Sequence, residues 1–245
     1  MSGAFDARSF RRAYDELVVG GRFHEVPEYY PRYRTRYEAL YRTYAERAGS
    51  EPLDVLDIGG GIYATLATTL RGDRCTVADL GATNADYLQR CGVASVEWNL
   101  CADAQPFTAR FDAIVFSEVI EHLPVPSHLV LERLRRALKP GGFLLCTTPN
   151  LYRLRNVVYM ALGRQIFDHF RMPEGRGLGH VLEFSREHLA WQIERAGLRL
   201  EAIDLRYFPH QPYSLPFRLL SWLGRPLFLV PRWRDCLVAI AHAPS

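Results

Sequence analysis

The stretch Leu53-Asp-Val-Leu-Asp-Ile-Gly-Gly-Gly-Ile-Tyr63 constrains the fold more than any other part of this chain. Val55, Leu56 and Ile58 suit a strand buried on both faces of a parallel sheet. That strand runs straight into Gly59, Gly60 and Gly61, which remove the side chains that would hold a ligand away from the backbone. Residues 64–70 then predict a short helix whose first N–H groups are free to face the loop. A strand, glycine loop and helix in this order fit many nucleotide cofactors. The glycines do not spell the dinucleotide pattern G-x-G-x-x-G, and a plain glycine turn ending a core strand is the competing reading.

The flanking pattern extends this unit into an α/β sheet. From about residue 53 to 150, short apolar runs alternate with helical or polar stretches, as in a parallel sheet with crossover helices. Strands are predicted at 53–59, 75–80, 94–99, 112–117 and 142–148. The clearest helix covers 127–138, with Ser127 as its cap, Leu131, Leu134 and Leu138 on one face, and Pro140-Gly141-Gly142 as its stop. A second helix begins at Ser185, buries Leu189, Ile193 and Ala196, and stops at Gly197. Strands near 198–205 and 236–241 follow.

Two segments lie outside that core. Residues 1–50 form a predicted N-terminal helical cap, and 51–245 form the main domain with insertions at about 151–180 and 206–234. Tyr30, Tyr33, Tyr37, Tyr41 and Tyr44 recur at helical spacing, so they are expected to pack one face against the domain, an aromatic substrate site being the alternative. Arg32, Arg34 and Arg36 read as a solvated face, with an acidic substrate or RNA as the minority reading. Residues 206–234 are rich in proline, aromatics and leucine. They suit ordinary packing, a lid, or peripheral membrane contact through 213–231.

Bulk properties exclude some partners. The formal charge of +3 is mild and argues against a dedicated nucleic-acid or polybasic membrane surface. Cys75, Cys91, Cys101, Cys146 and Cys236 are odd in number, scattered and never spaced as C-x-x-C. Neither a disulfide framework nor a thiolate zinc site is indicated, and a reducing cytosol is the simplest setting. No apolar run reaches the length of a bilayer span.

Asp79 ends the second predicted strand, 22 positions after Asp57, where a carboxylate would face the ribose hydroxyls of a nucleoside on the glycine loop. Asn99-Leu100, after the third strand, would offer an amide and a backbone N–H to an adenine edge, unless they form a surface turn. Asp103 is the fallback for that role.

The chain here resembles the class I S-adenosylmethionine-dependent methyltransferases. The likeness rests on Val55-Leu-Asp-Ile-Gly-Gly-Gly61, Asp79, Phe111-Asp-Ala-Ile-Val-Phe-Ser-Glu-Val-Ile-Glu-His-Leu123, Leu138-Lys-Pro-Gly-Gly-Phe143 and Thr147-Thr-Pro-Asn150. Phe184-Ser-Arg-Glu-His-Leu189 with Ala196-Gly197 extends it towards the C-terminus. The resemblance implies a Rossmann-like seven-stranded sheet in the order 3-2-1-4-5-7-6, with an antiparallel final strand. It also implies an S-adenosylmethionine site built from Asp57, Gly59, Gly60, Gly61, Asp79, Leu80, Asn99, Leu100 and Ser117. One residue departs from the family loop G-x-G-x-G: Tyr63 stands where the third glycine is expected. Its side chain is expected to point away from the cofactor.

Glu118-Val-Ile-Glu-His122 carries a second signal. If a helical turn follows the fourth strand, Glu118, Glu121 and His122 share one face. Two carboxylates and an imidazole suit Mg²⁺ or Mn²⁺, and His180, 58 positions further on, would complete the set. This pattern is similar to the metal site of small-RNA 2′-O-methyltransferases and to the O-methyltransferases of ubiquinone biosynthesis. Without a metal, His122 or Glu121 is the candidate base. The alternative is that the motif caps the active-site loop and His180 orders a surface turn.

The resulting expectation is methyl transfer from S-adenosylmethionine to a hydroxyl oxygen of a small molecule, a glycan or glycolipid precursor or a phenolic metabolite. Rival readings are an RNA 2′-O-methyltransferase and a non-catalytic cofactor-binding protein. A nicotinamide oxidoreductase is disfavoured, because the loop spacing differs and Lys139, the sole lysine, belongs to no Tyr-x-x-x-Lys.

Overall fold

The alternating apolar runs assemble into one seven-stranded sheet in the order 3-2-1-4-5-7-6. The computed structural model describes residues 5–21, 23, 28–81, 84–102, 105–167, 179–208 and 225–245. Strands β1 (Asp54–Ile58), β2 (Arg74–Asp79), β3 (Ala94–Glu97), β4 (Phe111–Ser117) and β5 (Leu138–Pro149) run parallel to one another. After β6 (Arg199–Arg206), β7 (Cys236–His242) inserts antiparallel between β5 and β6. Val55, Leu56, Ala113, Ile114, Val115 and Phe116 are all buried, as a central strand covered on both faces requires. The chain leaves β1 in one direction for β2 and returns on its other side as β4, which opens a crevice at the strand ends.

Helices α1 (Ala7–Ala13) and α2 (Tyr29–Ala48) cover one face of this sheet. Phe10, Tyr14, Tyr37, Tyr41 and Tyr44 share a continuous core with Val55, Val77, Val115 and Leu145, so the tyrosine stripe packs rather than lining an open aromatic site. Tyr44 Oη donates to Asp73 Oδ2 at 2.6 Å, and Asp73 also accepts from Leu53 N (2.9 Å) and Arg71 Nε (3.1 Å). Because this carboxylate is fully buried, losing one donor leaves it short of a partner. Tyr44→Phe is expected to cost about 1–3 kcal/mol in urea unfolding at neutral pH. A loss within the error of the melt would show that the hydroxyl does not tie α2 to the sheet.

The remaining helices are α3 (Ile62–Arg71), α4 (Ala85–Arg90), α5 (Ser127–Ala137), α6 (Leu154–Ala161) and α7 (Arg186–Arg195). Ser185 caps α7 as expected, its Oγ accepting from His188 N at 3.1 Å. Ser127 does not cap α5. It lies within the first turn, and the His128 N–H is met instead by Gln192 Oε1 of α7 at 2.8 Å, a tertiary cap with no local signature. The stop at Pro140 also differs. Leu138 already pairs with Phe111, and Gly141, at φ +74°, takes up the register shift before Phe143 pairs with Ala113.

No helix among the described residues is long and apolar enough to cross a membrane. Most of the expected contact segment 213–231 lies outside the described residues, as does Asp103.

Candidate active site

The glycine loop sits at the crevice. Gly59 N donates to Ala78 O at 2.9 Å, which ties the loop to the end of β2. Gly59 and Gly61 have φ of +101° and +81°, a backbone that other residues adopt with strain. A Cβ on Gly61 would lie 2.8 Å from Leu88 Cδ2, and one on Gly59 would lie 3.2 Å from Val119 Cγ2. Gly61 is the residue before α3, whose first turn begins directly at the loop.

Asp57 lies beneath the loop rather than at its surface. Its Oδ2 accepts from Ala64 N at 2.9 Å, so it shapes the start of α3. Burial pushes its carboxyl up to about 7, against the lowering effect of the Ala64 and Tyr63 N–H groups and with a smaller push from Asp79. A raised folded-state pKa means that the native state holds the proton longer than the unfolded chain. Stability is therefore full below about pH 4, where both states are protonated, and falls as pH rises toward about 7. In the cofactor-free protein, Asp57→Asn is expected to abolish that slope, its stability relative to wild type growing across this window and levelling off above it. Parallel unfolding curves for the two proteins across the window would refute the assignment.

Asp79 lines a cleft together with Gly59, Gly60, Asn84, Leu88 and Val96. Its Oδ1 accepts from Leu80 N at 2.7 Å, which fixes the carboxylate while leaving further lone pairs toward the cleft. Leu80 itself is exposed. Beyond β3, Asn99 Oδ1 accepts from Cys101 N at 2.9 Å, so the amide oxygen is engaged in a turn. Leu100 is buried in the core on the other face of the sheet.

Tyr63 turns toward α2, where its ring packs 5.4 Å from that of Tyr37. Its hydroxyl is buried beside Ser117 and Arg36. The residue that breaks the glycine pattern thus packs into the core with α2. Arg36 is the residue that sequence reasoning misplaced: it is not solvated. Its Nη1 reaches Glu118 Oε2 at 3.0 Å across 82 positions, and its Nη2 donates to Tyr29 Oη at 2.6 Å. A tyrosine-rich helical face surrounding one arginine was the available signal.

Glu118 departs from the expected metal set. Its φ of +55° interrupts the chain before a short 3₁₀ turn, Ile120–His122, so no continuous helical face places it with Glu121 and His122. Its Oε1 instead accepts from Thr147 Oγ1 at 2.9 Å. Ser117, just before it, shares a 2.9 Å hydrogen bond with Thr147.

Glu121, His122 and His180 do converge, with one ligand atom from each within 4.8 Å of the others. Glu121 is buried, and Thr148 Oγ1 donates to it at 3.0 Å. Burial, helped by the nearby Glu118, pushes its carboxyl well above the usual carboxylate range. The His122 and His180 rings meet edge to face, with centroids 5.0 Å apart. His122 Nδ1 lies 3.2 Å from Gly179 O, and His180 Nδ1 lies 3.2 Å from Glu183 Oε1. His122 Nε2 lies 3.8 Å from Glu121 Oε1. Two imidazoles and a carboxylate at this separation fit a divalent cation. The turn that carries Glu121 and His122 adjoins the glycine loop through Val119 and Gly59.

A family model described as a methyltransferase domain matches residues 29–203. The chain is 34% identical over 174 residues to a ubiquinone biosynthesis O-methyltransferase of Pseudomonas aeruginosa, covering 67% of this chain and 72% of that one. It also resembles the fold of a Haloferax volcanii methyltransferase solved with a methyltransferase activator. The TM-score there is 0.61 at 20% identity, over 88% of this chain and 91% of that chain. The N-methyltransferase NodS of Bradyrhizobium japonicum, in complex with S-adenosylhomocysteine, gives a TM-score of 0.55 at 18% identity, over 97% and 98% of the two chains.

Proposed function

The chain belongs to the class I S-adenosylmethionine-dependent methyltransferases, and from that membership we propose that it methylates a hydroxyl oxygen of a small acceptor. Phenolic metabolites and glycan or glycolipid precursors are the leading classes. The observation that carries this reading is the convergence of Glu121, His122 and His180 beside the glycine loop. The O-methyltransferase name of the Pseudomonas relative supports oxygen as the acceptor atom.

The sulfonium of S-adenosylmethionine supplies an already activated methyl group, so alignment and proton management fall to the protein. Gly59, Gly60 and Gly61 would let the cofactor approach the backbone, and Asp79 would accept from its ribose hydroxyls. His122 is the candidate base for the acceptor proton, with the His180 ring beside it. Glu121, His122 and His180 would hold Mg²⁺ or Mn²⁺, which would lower the pKa of an acceptor hydroxyl.

RNA methylation gains no support from α2. Arg34 is paired with Asp15 and Arg36 with Glu118, so these arginines do not form an unengaged basic stripe.

The test is transfer of an isotopically labelled methyl group to panels of phenols, glycans and short RNAs, with and without chelator. Labelling of a hydroxyl in the first two panels is the expected result. Tight binding of S-adenosylhomocysteine with no transfer to any acceptor would instead favour a non-catalytic protein. Activity indifferent to chelator would remove the metal while leaving His122 as the base.

A further inference from the structure

Glu183 is a carboxylate with no exposed side-chain surface, and it is surrounded by donors. Arg153 Nη2 and Asn156 Nδ2, from the start of α6, donate to its two oxygens. Arg155 Nη2 lies 3.7 Å from Oε1, and His180 Nδ1 lies 3.2 Å from the same oxygen. Asn156 is itself buried and donates to Leu151 O at 3.0 Å, so the clamp is fixed to the backbone beyond β5. Arg153 is thus turned inward. A carboxylate ion-paired with Arg153 on one oxygen and taking the Asn156 amide on the other is an acceptor toward His180.

We propose that Glu183 is a positioning residue: anchored by Arg153 and Asn156, it holds the proton of His180 on Nδ1 and leaves Nε2 as the lone-pair nitrogen at the site. The segment that carries it does the same for the neighbouring ring, since Gly179 O can only accept and His122 Nδ1 must therefore donate. Val181 N and Leu182 N bond Glu121 O at 2.8 and 3.2 Å, so this segment and the Glu121–His122 turn are locked together. One short stretch of chain, Gly179 to Glu183, sets the tautomer of both histidines. The catalytic consequence rests on the reading that this cluster receives the acceptor proton.

The experiment is ¹⁵N spectroscopy of histidine-labelled full-length protein at about pH 8.5, well above the pKa of a free imidazole. His122→Ala and His180→Ala variants assign the signals. The expected wild-type result is an Nδ1–H tautomer for His180. Glu183→Gln, whose amide can either accept or donate, is expected to give mixed tautomers. Its kcat should fall about 10- to 100-fold at unchanged KM for S-adenosylmethionine. An Nε2–H His180 in the wild type overturns the proposal, even if Glu183→Gln fails to fold. So does a folded Glu183→Gln with an unchanged tautomer, whatever its melting temperature. If His180→Ala retains full kcat while the tautomer still depends on Glu183, the positioning stands and the functional reading of His180 fails.

Discussion

The Asp79→Ala enzyme is expected to bind S-adenosylhomocysteine about 100-fold more weakly than the wild type, with an unchanged melting temperature. Hydrogen bonds to a charged acceptor are worth about 1.5–3 kcal/mol each, and a hundredfold change corresponds to about 2.8 kcal/mol, so one or two lost ribose contacts suffice. Stability should not follow, because among the described residues the carboxylate bonds only its neighbour Leu80 N, and it lines an open cleft. Calorimetric titration of both proteins with S-adenosylhomocysteine decides it. A change below about threefold would remove Asp79 from the ribose site.

The second large effect is on turnover. His122→Ala should lower kcat by about 10²- to 10⁴-fold, the usual contribution of a positioned acid or base, while leaving the cofactor Kd near that of wild type. The separation follows from geometry: His122 lies on the 3₁₀ turn beyond β4 and is tied to Gly179, not to the glycine loop. Glu118 offers a contrast, because its carboxylate is engaged by Arg36 and Thr147. Glu118→Gln is therefore expected to act mainly on cofactor KM, and Glu121→Gln on kcat. If both act on kcat alone and both abolish a response to chelator, the four-residue metal set expected from sequence is restored.

Much of the scaffold was legible because its signals are local. The doubly buried strand Val55 to Ile58, the glycines beyond it, and the Ser185 cap each depend on residues within a few positions. Two local readings failed where the chain was met by a distant partner. Ser127 looks like a helix cap, yet Gln192 takes that role from α7. Glu118 looks like the first member of a helical face, yet its backbone turns to φ +55° and its carboxylate meets Arg36. Arg36 itself reads as solvated because charge patterning records spacing along one helix and nothing about what packs over it.

The sequence alone determined the sheet, the glycine loop and the acid at the end of β2, since backbone sterics and hydrophobic periodicity act over short spans. Only the tertiary structure decided which titratable groups meet. It brought His180 to His122, separated Glu118 from both, and buried Glu183 as the acceptor behind a histidine. Those pairings depend on where helices settle on the sheet. A side chain with several acceptable partners carries no local mark of the one that packing delivers.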